Sequence, residues 1–265
     1  MRQINVEELK QIQLEILERV NSFCKENNIN YWLDSGTLLG AIRHKGYIPW
    51  DDDVDIGMLR EDFDKFISTF NKEKSRYKVI CNELQRDCYY PYAKVVDTKT
   101  VLYEPDENGT KLSVNIDLFV YDVTPNKFSA DRQYARRDKL ACLNVVQYKL
   151  FRSKEWYKRI LKTLQCYILR IYSKGYYASQ IVKNSKRYKD TDAQYVGNFT
   201  SETRVLCDKS VFDSFVMKEF EGKEYPVPIG YDAWLTAFYG EYMKLPPVEK
   251  RVSHHAFKAY IDENA

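Results

Sequence analysis

Apolar residues recur at helical spacing from the start of the chain. Val6, Leu9, Ile12, Ile16, Val20 and Phe23 fall every three or four positions, which puts them on one face of a helix. Asn5, with Glu8 three residues on, supplies a capping box, and Asn27-Asn28 closes the element. The pattern predicts a helix over 5–27, a strand over Asn30–Leu33, a short helix over Ser35–His44 and a strand over Val54–Met58. Phe63, Phe66, Ile67 and Phe70 mark a helix over Glu61–Lys72. Strands follow at 77–84, 92–97, 100–104 and 113–121; alternation in the last sets Asn115 and Asp117 on one side. From about Ala130 the period turns helical, over 130–150, 154–173 and 176–188. A mixed segment at 195–225 leads to a helix over Tyr231–Tyr239, stopped by Gly240, and then a polar loop to His255. The class is α+β, a mixed sheet flanked by helices with a helical C-terminal portion. Its expected division is a core over 1–128, a basic helical subdomain over 129–194 and a closing segment over 195–265.

A chain of 265 residues can bury a sizeable core. Its six cysteines form no CxxC pair, which points to free thiols and no zinc site. No secretory leader pattern and no apolar run near ~20 residues is present, so a cytoplasmic location is expected. Net charge is +3 but unevenly spread: residues 149–189 hold twelve Lys and Arg against one acid, Glu155. Within that stretch Tyr157, Ile160, Leu161, Leu164, Ile168 and Ile171 have helical spacing, with Lys158, Arg159, Lys162 and Arg170 around them. Such a helix suits peripheral contact with the inner face of an anionic membrane, or with an anionic lipid-linked acceptor. The plain alternative is a helix with its stripe in the core and a solvated basic face. Nucleic acid is not the expected partner.

The densest chemistry lies in residues 31–57. Asp51, Asp52, Asp53 and Asp55 place four carboxylates in five positions, downstream of Gly36-Thr37. Like charges this close call for a cation or for full solvation. In a strand, Asp53 and Asp55 share one side, and oxygen donors suit Mg²⁺ or Mn²⁺ bridged to phosphates. Asp117, framed by Ile116 and Leu118, would join them if its strand is a neighbour. Asp51 is then an auxiliary acid, and Asp52 faces away. Gly36 and Thr37 would offer backbone N–H groups to a phosphate. Arg43, Lys45, Lys94, His254 and His255 are candidate substrate contacts, and Trp50, Tyr89, Tyr90, Tyr92 and Tyr121 are aromatic faces near the motifs. The alternative for the cluster is a solvated acidic turn.

The order Gly36-Thr37, Asp53-Val54-Asp55 and Ile116-Asp117-Leu118 resembles the nucleotidyltransferase superfamily of polymerase-β-like fold. The longer block from Gly36 to Ile56, with Tyr239-Gly-Glu-Tyr-Met-Lys-Leu-Pro-Pro-Val-Glu-Lys-Arg-Val-Ser-His-His255, is similar to the LicD family, which includes the fukutin-type enzymes. Pro91–Asp97 and Asn115–Phe119 fit too, while 130–190 match loosely. The resemblance implies a nucleotidyltransferase-like core at 1–128 and metal-dependent transfer of an alcohol phosphate from a CDP-alcohol donor to a glycan or lipid-linked saccharide hydroxyl. Phosphocholine is the first expectation; glycerol phosphate, ribitol phosphate and nucleotidyl transfer are alternatives. A membrane- or RNA-binding protein with a degenerate site is the non-enzymatic one. By motif position the resemblance gives Asp53, Asp55 and Asp117 as metal ligands, and Gly36 and Thr37 as the phosphate-side turn. The zinc-binding insertion of fukutin-related enzymes has no counterpart.

Overall fold

The computed structural model describes residues 1–103, 111–148, 155–251 and 258–262. Strand β1 (Arg2–Ile4) precedes helix α1 (Val6–Asn27), β2 (Trp32–Leu33), α2 (Ser35–Arg43), β3 (Asp55–Leu59) and α3 (Arg60–Thr69). Next come β4 (Tyr77–Ile80), β5 (Ala93–Asp97), β6 (Thr100–Tyr103), β7 (Lys111–Leu112) and β8 (Asn115–Thr124). Helices α4 (Lys127–Tyr148), α5 (Trp156–Leu169) and α6 (Tyr176–Ser185) follow. The chain ends with β9 (Tyr195–Gly197), β10 (Leu206–Asp208), β11 (Phe215–Phe220), β12 (Lys223–Pro228), α7 (Tyr231–Tyr239) and β13 (Lys258–Ile261).

The α+β class and the early helices follow the apolar periods. Helix α1 has its capping box: the Glu8 N–H donates to the Asn5 side chain at 2.8 Å, and the Asn5 N–H donates back to Glu8 at 3.0 Å. Strands β1 and β13 escape a periodicity reading because three or four residues are too few to show a period. The mixed segment resolves into two short strands and the β11–β12 hairpin.

Strand β8 organises the main sheet. It pairs with β3 in parallel, with β5 antiparallel over 115–118, and with β9 antiparallel over 122–124. Strands β2, β4 and β10 extend the seven-stranded sheet. A second sheet, ordered β1-β13-β6-β7, joins residues from opposite ends of the chain, with Arg2 opposite Ile261. One apolar cluster runs from Ile4 to Ala259 and includes Trp32 and Trp234, both fully buried. Gly57 lies opposite Trp32 in the β2–β3 pair, and a Cβ there would fall 2.5 Å from the indole, so only glycine lets the strands close over that ring.

An ion-pair network ties the sheet to α6. Arg60, at the start of α3, grips buried Asp122 of β8 with two hydrogen bonds of 2.8 Å and reaches Glu83 at 2.9 Å. Ser185 donates to Asp122, and Lys186 pairs with Glu83. A planar guanidinium with two buried oxygens in its fork is hard to replace. Arg60→Met should leave Asp122 buried without its charge partner and lower stability by roughly 3–5 kcal/mol, read from urea unfolding.

Candidate active site

The β3–β8 register sets the central charges side by side. Asp55 lies opposite Asp117, and Asp117 lies opposite Lys94 of β5, so one row crosses three strands. Lys94, 7% exposed, donates to Asp117 Oδ1 at 2.5 Å and to Asn115 Oδ1 at 3.1 Å. It thus balances one carboxylate of a crowded set. Burial, and then Asp53, Asp117, Asp34 and Asp51, hold the Asp55 carboxyl well above the usual carboxylate range.

The Asp55 backbone is clamped on both sides. Its N–H donates to Thr37 Oγ1 at 2.9 Å, and its carbonyl accepts from the Asp34 N–H at 3.0 Å. The Thr37 hydroxyl is therefore a brace for the β3 start, and of α2's first turn Ser35 and Gly36 border the cleft. Ser35 carries the turn in the left-handed region, at φ 48°. Gly36 gives the Asp51 carboxylate room: a Cβ there would lie 2.6 Å from Asp51 Oδ2. Beneath the turn, Asp34 is fully buried and accepts from Tyr121 Oη at 2.5 Å and Trp234 Nε1 at 3.2 Å. Burial pushes its carboxyl up to about 6, against the pull of those hydrogen bonds.

Asp51, Asp53 and Asp55 open onto a cleft of about 580 Å³ bordered by Gly36, Tyr121 and Tyr239. The Tyr239 phenol is held well above its usual range by burial and then by Asp55, Asp34, Asp51 and Asp53. A chamber of about 710 Å³ adjoins the cleft, sharing Phe119 and Ser201–Thr203 as a wall and adding Tyr89, Tyr90 and Tyr92. The wall is held by Arg137, whose buried guanidinium donates to the carbonyls of Ser201, Thr203 (2.9 Å) and Glu202 (3.1 Å). Buried Asn144 donates to the Tyr89 carbonyl at 3.0 Å, and its Oδ1 has no partner among the described residues.

Other candidates are scattered. Arg43 donates to the Tyr242 carbonyl at 2.7 Å, securing the chain beyond α7. Lys45 points to Glu219 on the β11–β12 hairpin at 3.3 Å and does not border the cleft. Asp52 is buried and does not border it either; Gln13 holds its carbonyl at 3.1 Å. Of the aromatic faces, Tyr121 borders the cleft with its hydroxyl committed to Asp34, and Trp50 sits under Arg251 at 5.6 Å. His254 and His255 lie outside the described residues. Sequence reading passes over Asp34, Tyr239, Asn144 and the 201–203 wall. Asp34 and Tyr239 sit inside or beside the two long motif blocks, which was the available signal; the wall carries none.

Among the described residues no three carboxylates close into a ready-made cage. The donor chemistry nonetheless fits a divalent cation. Three carboxylates share one cleft, a fourth adjoins through the strand register, every donor is oxygen, and burial among its neighbours holds the Asp55 carboxyl above the usual range. Such a partial shell suits Mg²⁺, which keeps waters and takes substrate phosphates as further ligands.

Sheet, braced turn and acidic cleft together form one α+β site. Residues 28–142 match the family described as LicD/FKTN/FKRP, nucleotidyltransferase domain. The chain is 32% identical over 273 aligned positions to the lipopolysaccharide cholinephosphotransferase LicD of Haemophilus influenzae, covering 98% of this chain and 100% of that protein. A stretch of 34 residues, 13% of this chain and 7% of the relative, is 59% identical to human ribitol 5-phosphate transferase FKRP. Mouse ribitol-5-phosphate transferase FKTN is 39% identical over 49 residues, 18% of this chain and 11% of that protein. The chain belongs to the LicD family.

Gly36→Ala separates the site from the fold. Alanine suits a helix better than glycine by roughly 0.5–1 kcal/mol, while the new Cβ displaces the mobile end of Asp51. Urea unfolding should show unchanged or higher stability, a crystal structure should show the Asp51 carboxylate moved, and turnover should fall at least about tenfold.

Proposed function

We propose that the protein transfers an alcohol phosphate, first of all phosphocholine from CDP-choline, to a hydroxyl of a cell-surface glycan or teichoic acid precursor, releasing CMP. The observation that carries this reading is the full-length similarity to a protein named a lipopolysaccharide cholinephosphotransferase. The likeness to two ribitol phosphate transferases supports the same reaction class with another alcohol.

In this reading the acceptor oxygen bonds to the phosphorus that bears the alcohol. The bond from that phosphorus to the bridging oxygen breaks, and CMP leaves with the oxygen. Asp53 and Asp55, with Asp117 beside them, would hold Mg²⁺ or Mn²⁺. The ion would supply charge neutralisation for the diphosphate and the departing CMP. Lys94 keeps Asp117 in place and adds a positive charge beside it. The α2 N-terminus borders the cleft at Ser35 and Gly36 and would offer backbone donors to the phosphates. The hydroxyl proton goes to Asp51, which borders the cleft where Asp117 does not.

The tyrosine-lined chamber suits the alcohol end of the donor. Lys94 Nζ stands 5.0 Å from the Tyr90 ring centre and 5.4 Å from that of Tyr92, so these rings already face one cation. A trimethylammonium group against the chamber's aromatic faces would gain about 0.5–2 kcal/mol per good contact.

The test is a panel of CDP-alcohols with Mg²⁺ and candidate acceptors, read for CMP and for the modified acceptor. CDP-choline should give CMP and a phosphocholine-bearing product. Nucleotide left on the acceptor would replace this reading with nucleotidyl transfer, and preference for CDP-ribitol would keep the reaction and change the alcohol. Asp53→Asn and Asp55→Asn should each cost roughly 10²–10³-fold in kcat with the fold intact by circular dichroism. Tyr90→Leu should raise the CDP-choline KM by about three- to thirtyfold and leave a CDP-glycerol KM nearly unchanged.

A further inference from the structure

Helix α5 carries an apolar stripe that the rest of the described protein leaves uncovered. Trp156 is 70% exposed, Leu161 63%, Leu164 58%, Ile168 56%, and Ile171, just past the helix end, 82%. At 100° per residue Tyr157, Leu161, Leu164, Ile168 and Ile171 fall within one arc. Cys166 lies on the opposite side and is buried, its Sγ 3.6 Å from the Gln147 carbonyl of α4. The same α4 residue fixes the end of α5, donating to the carbonyls of Leu169 (3.0 Å) and Tyr172 (2.9 Å), while Arg170 donates to the Gln147 carbonyl at 3.2 Å. The helix is therefore moored by one side with its apolar side turned out. A contiguous exposed stripe of this kind marks an interaction surface.

We propose that α5 is a docking helix that seats the protein on an anionic lipid bilayer. The charge around the stripe selects the partner. Lys158 and Lys162 flank the mooring side on one edge, Arg159 and Arg170 on the other, within a segment holding twelve basic residues and one acid. A second copy would bring two such segments together and be repelled; an anionic surface attracts them. Long basic side chains extend from the polar half of an interfacial helix toward lipid phosphates, while the opposite arc enters the acyl boundary. With 14 residues α5 spans ~21 Å, short of a ~30 Å hydrocarbon core, and among the described residues no helix is long and apolar enough to cross a membrane. The contact is thus peripheral. Helix α4 also supplies Cys142, Asn144, Val145 and Val146 to the chamber, so docking through α5 brings the chamber to the lipid surface. That consequence rests on the proposed transferase reading; the docking itself does not.

The experiment is flotation of the full chain with phosphatidylcholine vesicles, with and without phosphatidylglycerol, at about 0.15 M and about 1 M salt. Binding at least tenfold stronger to the anionic vesicles is expected, with partial loss at high salt. Leu161→Glu with Ile168→Glu should abolish it, while far-ultraviolet circular dichroism and vesicle-free CMP release stay unchanged. Failure of the wild type to float with either vesicle overturns the proposal. So does equal binding by the double variant, which would leave only general electrostatics, or a concentration-dependent dimer in light scattering that the variant dissolves. Vesicle-free CMP release is scored separately, so a failed docking and a failed transferase reading give different results.

Discussion

The parallel hydrogen bonding between β3 and β8 decides where the charges of the site lie. The Asp117 N–H donates to the Val54 carbonyl at 2.9 Å, and the register that follows sets Asp55 beside Asp117. What pins that register is apolar: Val54, Ile56 and Met58 on one strand, and Ile116, Leu118 and Val120 on the other, are almost wholly buried. A slip of one residue would expose this set and turn the acids into the core. Burial of the hydrophobic face thus forces like charges together on the opposite face. Lys94, delivered by the next strand, offsets part of the repulsion that results.

Support for the site comes from outside the sheet. Thr37 of α2 and Asp34 just before it grip the backbone of Asp55, Tyr121 and Trp234 grip the Asp34 carboxylate, and Arg137 holds the wall between cleft and chamber. These groups come from β8, α4 and α7 as well as the motif block, so the carboxylates stand on a scaffold drawn from most of the chain. Side chains fixed by such second partners lose little further freedom when a ligand arrives.

The legible part of the molecule was the part with a period or a charge conflict. Helix α1 announced itself through its stripe and capping box, and the acids through a density that a solvated loop rarely needs. Asp117 was visible because alternation framed it with buried neighbours. Thr37 stood out as a candidate, but its orientation was not legible: the residue type fits a phosphate turn and a buried brace equally well. Asp34 and the 201–203 wall depend on contacts with Tyr121, Trp234 and Arg137 that no local pattern encodes. In α5 the period gave the face correctly. It could not say whether protein covers that face, because the spacing of Leu161, Leu164 and Ile168 is the same in a core helix and an exposed one.

The placement of β13 also shapes how the molecule is made. It lies between β1 and β6, with Ile4 opposite Ala259 and Ala259 opposite Leu102. Until that strand is synthesised, two earlier strands have a missing neighbour and their backbone groups stand open. Closure of this sheet joins residues at the far ends of the sequence, a contact of the least local kind. Strands β1 and β6 therefore wait for a partner made well after both of them, and in that interval an edge-binding chaperone has something to hold.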